Sequence, residues 1–310
     1  MKISVIKKSA IVLTVILLLS TAFSCSLSQQ NNENTYVVAT NFPAYDFARH
    51  VCGNAGQVTM LLPAGAESHS YEPTARDIAK IQNCDLFIYT GGESDAWVDK
   101  ILNSLDKKIN TLKMTECVSL LHVGGEHTHE DGEHCEFDEH VWTSPVNAKA
   151  IVNKIKDKLC EIDIKNKQTY EENEAKYTNE ISSLDGEFRA FFDTVSNKTL
   201  VFGDRFPLLY FTHEYGISYV SPFSGCADHS EASAAKIAEI IKKIDSENIP
   251  TVYYIEFSNQ NIANTIASST GCKTALFYSC HNVSKSQLDE GVTYVSLMKE
   301  NLETLKSTMK

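Results

Sequence analysis

KQTYEENEAKYTNEISSLDGEFRAFFDTV, running from Lys167 to Val195, carries charge along most of its length. Within it Tyr170, Tyr177, Ile181, Leu184 and Phe188 recur at spacings of three, four or seven, which marks one buried stripe on an α-helix. A helix of that length reaches roughly 40 Å, more than a small domain needs. It follows another helical pattern, Val146 to Glu161 (VNAKAIVNKIKDKLCE), with no strand between them. The expected role is a spine connecting two halves of the chain.

Outward from that spine, short apolar runs alternate with helical periodicity. Before it, strands are expected at 36–39, 57–62 and 85–90, with helices at 43–51, 73–82 and 96–105. After it, strands are expected at 199–202, 216–220, 251–257 and 274–278, with helices at 230–244, 260–269 and 297–309. Strands that alternate with helices build parallel sheets covered on both faces. The fold class is therefore α/β: two small parallel-sheet α/β lobes bridged by a long α-helix. The expected boundaries are 35–165 for the first lobe, 166–195 for the linking helix and 196–310 for the second.

The composition fits such a chain. Of 310 residues, 43% are hydrophobic and 22% charged, and the mean hydropathy is −0.21. That excludes a disordered chain, a collagen-like repeat and a multi-span membrane protein. The formal net charge is −12, and the first 24 residues contribute three lysines and no acid, so the remainder is more acidic still. Such a surface repels phosphate backbones, which makes cations better partners than nucleic acid.

Residues 1–24 have the layout of a secretory signal: Lys2, Lys7 and Lys8, then an apolar run from Ile11 to Leu19, then small residues. The run is too short for a bilayer core of about 30 Å. Its end, Ala22-Phe23-Ser24-Cys25, resembles a bacterial lipobox, which implies lipidation of Cys25. Residues 25–34 then form a polar tether. The chain is expected outside the cytoplasm, anchored to the cell membrane. Nine cysteines include no CxxC pair, and Cys226 and Cys280 are open to a disulfide, a thiolate role or none.

Histidine is the strongest chemical signal. Five of ten histidines lie between His122 and His140, interleaved with seven carboxylates. The 122–139 stretch has no apolar pattern, so it reads as a loop whose His127, His129 and His134 meet metal weakly. Strand ends give a second signal, because ligands of open α/β sheets bind outside the carboxyl ends of strands. His69 follows the strand at 57–62, Asp204 closes 199–202, Glu256 ends 251–257, and His281 follows 274–278. With His140, just ahead of the helix near Val146, these residues would face a common cleft. No HExxH, GxSxG, P-loop or GxGxxG occurs.

Two blocks now carry a resemblance: Leu62-Pro63-Ala64-Gly65-Ala66-Glu67-Ser68-His69-Ser70-Tyr71-Glu72-Pro73 and Asp138-Glu139-His140-Val141-Trp142-Thr143-Ser144-Pro145. With them the chain resembles the metal-binding solute receptors of ABC importers, the zinc/manganese (TroA-like, cluster A-I) family. The resemblance implies two lobes on one rigid helix, a metal site in the interlobe cleft, and His69 and His140 as its first two ligands. The acidic His-rich loop resembles that of zinc-specific members. Where the family has its third ligand this chain reads Phe202-Gly203-Asp204-Arg205-Phe206-Pro207, which points to Asp204. Where it has its fourth, Ser279-Cys280-His281-Asn282 points to His281.

Three histidines with one oxygen donor suit tetrahedral Zn2+, and Mn2+, which prefers more oxygens, comes second. The expected protein is a monomeric zinc receptor, not an enzyme, that passes its ion to an ABC permease. The competing readings are a manganese or iron receptor of the same type, and a secreted zinc-dependent hydrolase with Glu256 as its base.

Overall fold

In the computed structural model, which describes residues 34–122, 137–223 and 232–309, the chain opens with a parallel sheet. β1 (Thr35–Ala39) leads through α1 (Phe42–Cys52) to β2 (Gly56–Met60), then α2 (Ala75–Asn83), β3 (Leu86–Tyr89), α3 (Val98–Ser104) and β4 (Thr111–Lys113). The four strands lie in the order β2-β1-β3-β4, with Val37 opposite both Val58 and Leu86. The central strands are unbroken apolar runs because helices cover both faces: Val37, Val38, Ala39, Leu86, Phe87 and Ile88 are all fully buried. Local chemistry starts the helices. Asn41 caps α1, with Pro43 in its first turn, and Thr74 and Asp77 form a reciprocal capping box on α2.

The Thr143-Ser144-Pro145 end of the second sequence block starts α4 (Pro145–Ile162): the Ser144 side chain accepts from the Asn147 N–H, and proline occupies the first turn. α5 (Lys167–Phe192) follows as one helix of 26 residues, about 39 Å long. Its buried positions include Tyr170, Tyr177, Ile181, Leu184 and Phe188, the stripe expected from the sequence.

Beyond α5 come β5 (Thr199–Val201), α6 (Leu209–Tyr215), β6 (Ser218–Val220), α7 (Ala234–Glu247), β7 (Thr251–Tyr254), α8 (Asn261–Thr270), β8 (Lys273–Leu276), α9 (Lys285–Asp289) and α10 (Tyr294–Thr308). β5 pairs with β6 and β7 with β8, both in parallel, and a parallel bridge from Phe202 to Tyr253 joins the pairs. Gly203 is required at that junction, because a Cβ there would lie 2.4 Å from the Ala263 Cα. The long helix packs on α1, α4, α6 and α10. Buried Asp46 ties three of these elements, accepting from Tyr177 Oη at 2.6 Å, the Tyr294 N–H at 3.0 Å and Arg49 Nε at 2.8 Å.

The α/β class with parallel sheets and a long helix is as the sequence pattern led us to expect. β4, α6 and α9, of three to seven residues, were not expected. The strand expected over 251–257 stops at Tyr254, because Phe257 takes a φ of 62° and turns the chain. Among the described residues no helix is long and apolar enough to cross a membrane. The expected signal, with Cys25 and nearly all of the tether, lies outside the described residues.

Candidate metal centre

Three loops bring one histidine each to a single point. His69 sits in the loop after β2, and that loop is stitched to the one after β8. Asn282 Nδ2 donates to the carbonyls of Pro63 at 2.8 Å and Ala66 at 2.9 Å, and the Gly65 N–H donates to the Val283 carbonyl at 2.8 Å. His140 lies just before the short helical turn Val141–Thr143 that leads into α4. Asp138 Oδ1 accepts from the His140 N–H at 2.7 Å and lies 2.9 Å from its Nδ1, while Tyr210 Oη donates to the Asp138 carbonyl at 2.8 Å. His281 follows a turn in which Cys280 takes a φ of 60°. Its Nδ1 is 3.3 Å from Ser68 Oγ, one residue before His69.

One nitrogen from each of His69, His140 and His281 lies within 4.8 Å of the other two. Ring centroids are 5.2 to 5.7 Å apart, and Trp142 packs beside two of the rings. A tetrahedral ion with metal–nitrogen bonds of about 2.05 Å needs nitrogens about 3.3 Å apart, so modest inward rotation of the rings suffices. With Nδ1 of His140 held by Asp138, Nε2 is the nitrogen that would coordinate. Ser68 Oγ stands in the corresponding place beside Nδ1 of His281. A carboxylate behind an imidazole, being an acceptor only, fixes its tautomer and raises its basicity toward a metal.

The electrostatics favour a cation. Glu139, 5% exposed, places Oε1 3.5 Å from Nδ1 of His69, and its Oε2 accepts from the Ser94 N–H at 3.1 Å. Burial raises its carboxyl above the ordinary range, an effect that His140 partly offsets. Burial also pushes Asp95 up to about 7, with Glu139 adding to the shift and the Thr90 and Gly91 N–H groups opposing it. His281 is held well below its ordinary value by burial, with His140 and His69 adding to the shift. Its neutral form, the one that ligates, is thereby favoured.

Asp204 does not join the three histidines. Its carboxylate accepts from the Arg205 N–H at 2.9 Å and the Ile255 N–H at 3.4 Å, and it lines a cavity of about 540 Å³ beside the centre. Glu256 lines that cavity too, but its oxygens accept from Ser279 and His281. His127, His129 and His134 lie outside the described residues, as does Cys226. The ends of the His-rich stretch are visible: His122 and Phe137 form an antiparallel bridge, which roots the loop three residues from His140. Cys280 is a buried free thiol. Sequence reasoning missed Asp138 and Glu139 as partners of the histidines, although both stand in the quoted block next to His140.

The family profile described as ZnuA, zinc-uptake complex component A periplasmic, matches residues 37–308. The zinc-binding lipoprotein AdcA of Streptococcus pneumoniae is 35% identical over 291 residues, covering 92% of this chain and 58% of that protein. The chain thus spans somewhat over half the length of that relative. The high-affinity zinc uptake system protein ZnuA of Bacillus subtilis is 31% identical, covering 91% of this chain and 90% of that protein. Among solved structures, the Zn(II)-bound ZnuA-like domain of S. pneumoniae AdcA superposes with a TM-score of 0.74 at 33% identity, covering 89% of this chain and 98% of that one. A match over nearly the whole described chain places it: this protein belongs to the ZnuA family of zinc-uptake solute-binding proteins.

Proposed function

We propose that the chain is an extracytoplasmic receptor that captures Zn2+ with His69, His140 and His281 and delivers it to the permease of an ABC importer. The observation that carries this reading is the meeting of three imidazole nitrogens, from three loops far apart in sequence, within 4.8 Å. A nitrogen-rich centre favours zinc over manganese or iron, which take more oxygen ligands. The fourth position goes to an oxygen donor; Asp204 would fill it only by giving up its hydrogen bonds with Arg205 and Ile255. The reading includes two lobes, 35–165 and 196–310, spanned by the helix at 166–195, with the centre in the cleft between them. Cys25 carries the lipid that holds a monomeric receptor at the cell membrane, and His127, His129 and His134 collect ions weakly ahead of the centre. No bond is made or broken in the solute. A hydrolase is disfavoured because Glu256, the base that reading assigns, is hydrogen-bonded to the turn that carries His281.

Metal content and competition affinity test the reading. The protein is expected to hold one zinc tightly, with a dissociation constant of about nanomolar or below. A His69→Ala/His140→Ala variant is expected to lose it. Retention of the zinc in that variant would overturn the three-histidine centre.

A further inference from the structure

Glu256 stands two residues beyond β7, and its carboxylate is turned onto the neighbouring loop. Oε2 accepts from the Ser279 N–H at 2.7 Å. Oε1 accepts from Ser279 Oγ at 2.7 Å and from the His281 N–H at 3.0 Å. Three donors of one three-residue turn thus converge on one carboxylate, a charge-assisted set stronger than neutral hydrogen bonds. The turn needs such a hold. Cys280 lies between the two clamped residues with a φ of 60°, a left-handed conformation that a side chain disfavours, and it is fully buried. From the other side Trp142 Nε1 donates to the Ser279 carbonyl at 2.9 Å, and that same Trp142 ring packs against His281 with centroids 5.0 Å apart.

We infer that Glu256 is a positioning residue of the metal centre: by gripping the Ser279-Cys280-His281 turn it fixes where His281 presents its imidazole, without ligating the ion. The inference rests on the proposed three-histidine centre. It assigns this acidic residue a role other than ligand or general base. It also explains why a strained turn is kept at this point: the left-handed residue at 280 reverses the chain so that 281 faces His69 and His140, and Glu256 holds the reversal in place. The same turn continues into Asn282, which fastens the His69 loop, so two of the three ligands depend on one clamp.

The test compares Glu256→Ala, Glu256→Gln and Ser279→Ala with the single variants His69→Ala and His140→Ala. The readouts are zinc affinity by chelator competition, the visible absorption spectrum of the Co2+-loaded protein, and the circular dichroism of the metal-free protein. Glu256→Ala is expected to weaken zinc about 10- to 100-fold, as loss of an outer partner of a metal ligand does. Its Co2+ spectrum should shift while the metal-free fold is unchanged. Glu256→Gln, which keeps one acceptor oxygen, and Ser279→Ala, which removes one of the three bonds, should each fall between Glu256→Ala and the parent protein. If Glu256→Ala does not fold, these two milder variants decide. Parent-like affinity and spectrum in the folded Glu256 and Ser279 variants, with zinc lost from the histidine variants, would overturn the positioning role alone. Parent-like zinc binding in the histidine variants would overturn the centre, and the role of Glu256 with it.

Discussion

Asp138 Oδ1 accepts from the His140 backbone N–H at 2.7 Å and lies 2.9 Å from Nδ1 of the same residue. One oxygen therefore sets both the backbone entering the turn Val141–Thr143 and the tautomer of the ring. The main chain of Asp138 is itself anchored, because Tyr210 Oη, on α6, donates to its backbone carbonyl. Asp138→Asn would keep the shape, yet its amide could present a donor to Nδ1 and favour the wrong tautomer. Zinc affinity is expected to fall about 10- to 100-fold with the fold intact, measured by competition titration. Unchanged affinity would show that the ring needs no such partner.

Gly92 and Glu139 are matched in a similar way. A Cβ on Gly92 would lie 1.9 Å from Glu139 Oε2 and 2.3 Å from its Cβ. The backbone of Gly92, at φ −115°, suits any residue, so the clash alone decides the outcome. Gly92→Ala should displace Glu139 from its place beside His69, destabilise the protein by about 1–3 kcal/mol and weaken zinc binding. Urea unfolding and zinc competition would measure the two effects. A variant as stable as the parent would mean that Glu139 moves freely.

The parts of this molecule legible in its sequence are those with long or repeated local signals. The stripe from Tyr170 to Phe188 covers several helical turns, so its period stands out, and all five of its residues are buried. His69 and His281 were legible because strand ends place them, and His140 because it stands just ahead of a helix in the second quoted block; the structure brings the three together. α9, with five residues, is too short to establish a period. Glu256 was legible as a strand-end residue but not as a clamp, because its partners lie over twenty residues away. The pairing of Asn282 with Pro63 and Ala66, across more than two hundred residues, leaves no trace in either segment alone.

That pairing predicts a stability effect. Asn282 is 3% exposed, and its side-chain amide satisfies two carbonyls of the His69 loop. Asn282→Ala removes two hydrogen bonds, each worth about 1 kcal/mol, although the Pro63 carbonyl still accepts from the Ala66 N–H. A loss of about 2 kcal/mol is expected in urea unfolding of the metal-free protein. Saturating zinc should recover part of it, because binding to the folded state alone stabilises that state. No loss of stability would show that the two loops hold together without this residue.

His281 gives the pH dependence of the metal-free protein a definite sign. Burial holds its folded-state value well below the ordinary 6.5, with His140 and His69 adding to the shift. Above about 6.5 the ring is neutral in both the folded and unfolded chains and has no effect on their balance. As pH falls below that value, the unfolded chain takes up a proton that the folded one refuses. Stability then drops by up to about 1.4 kcal/mol per pH unit until the folded value is reached. Replacing the ring by an amide, His281→Gln, removes this titration. Metal-free parent protein should therefore lose stability relative to His281→Gln as pH is lowered from 7.5 to 5, read by urea unfolding at each pH. Curves that stay parallel over that range would show that His281 titrates as an exposed histidine.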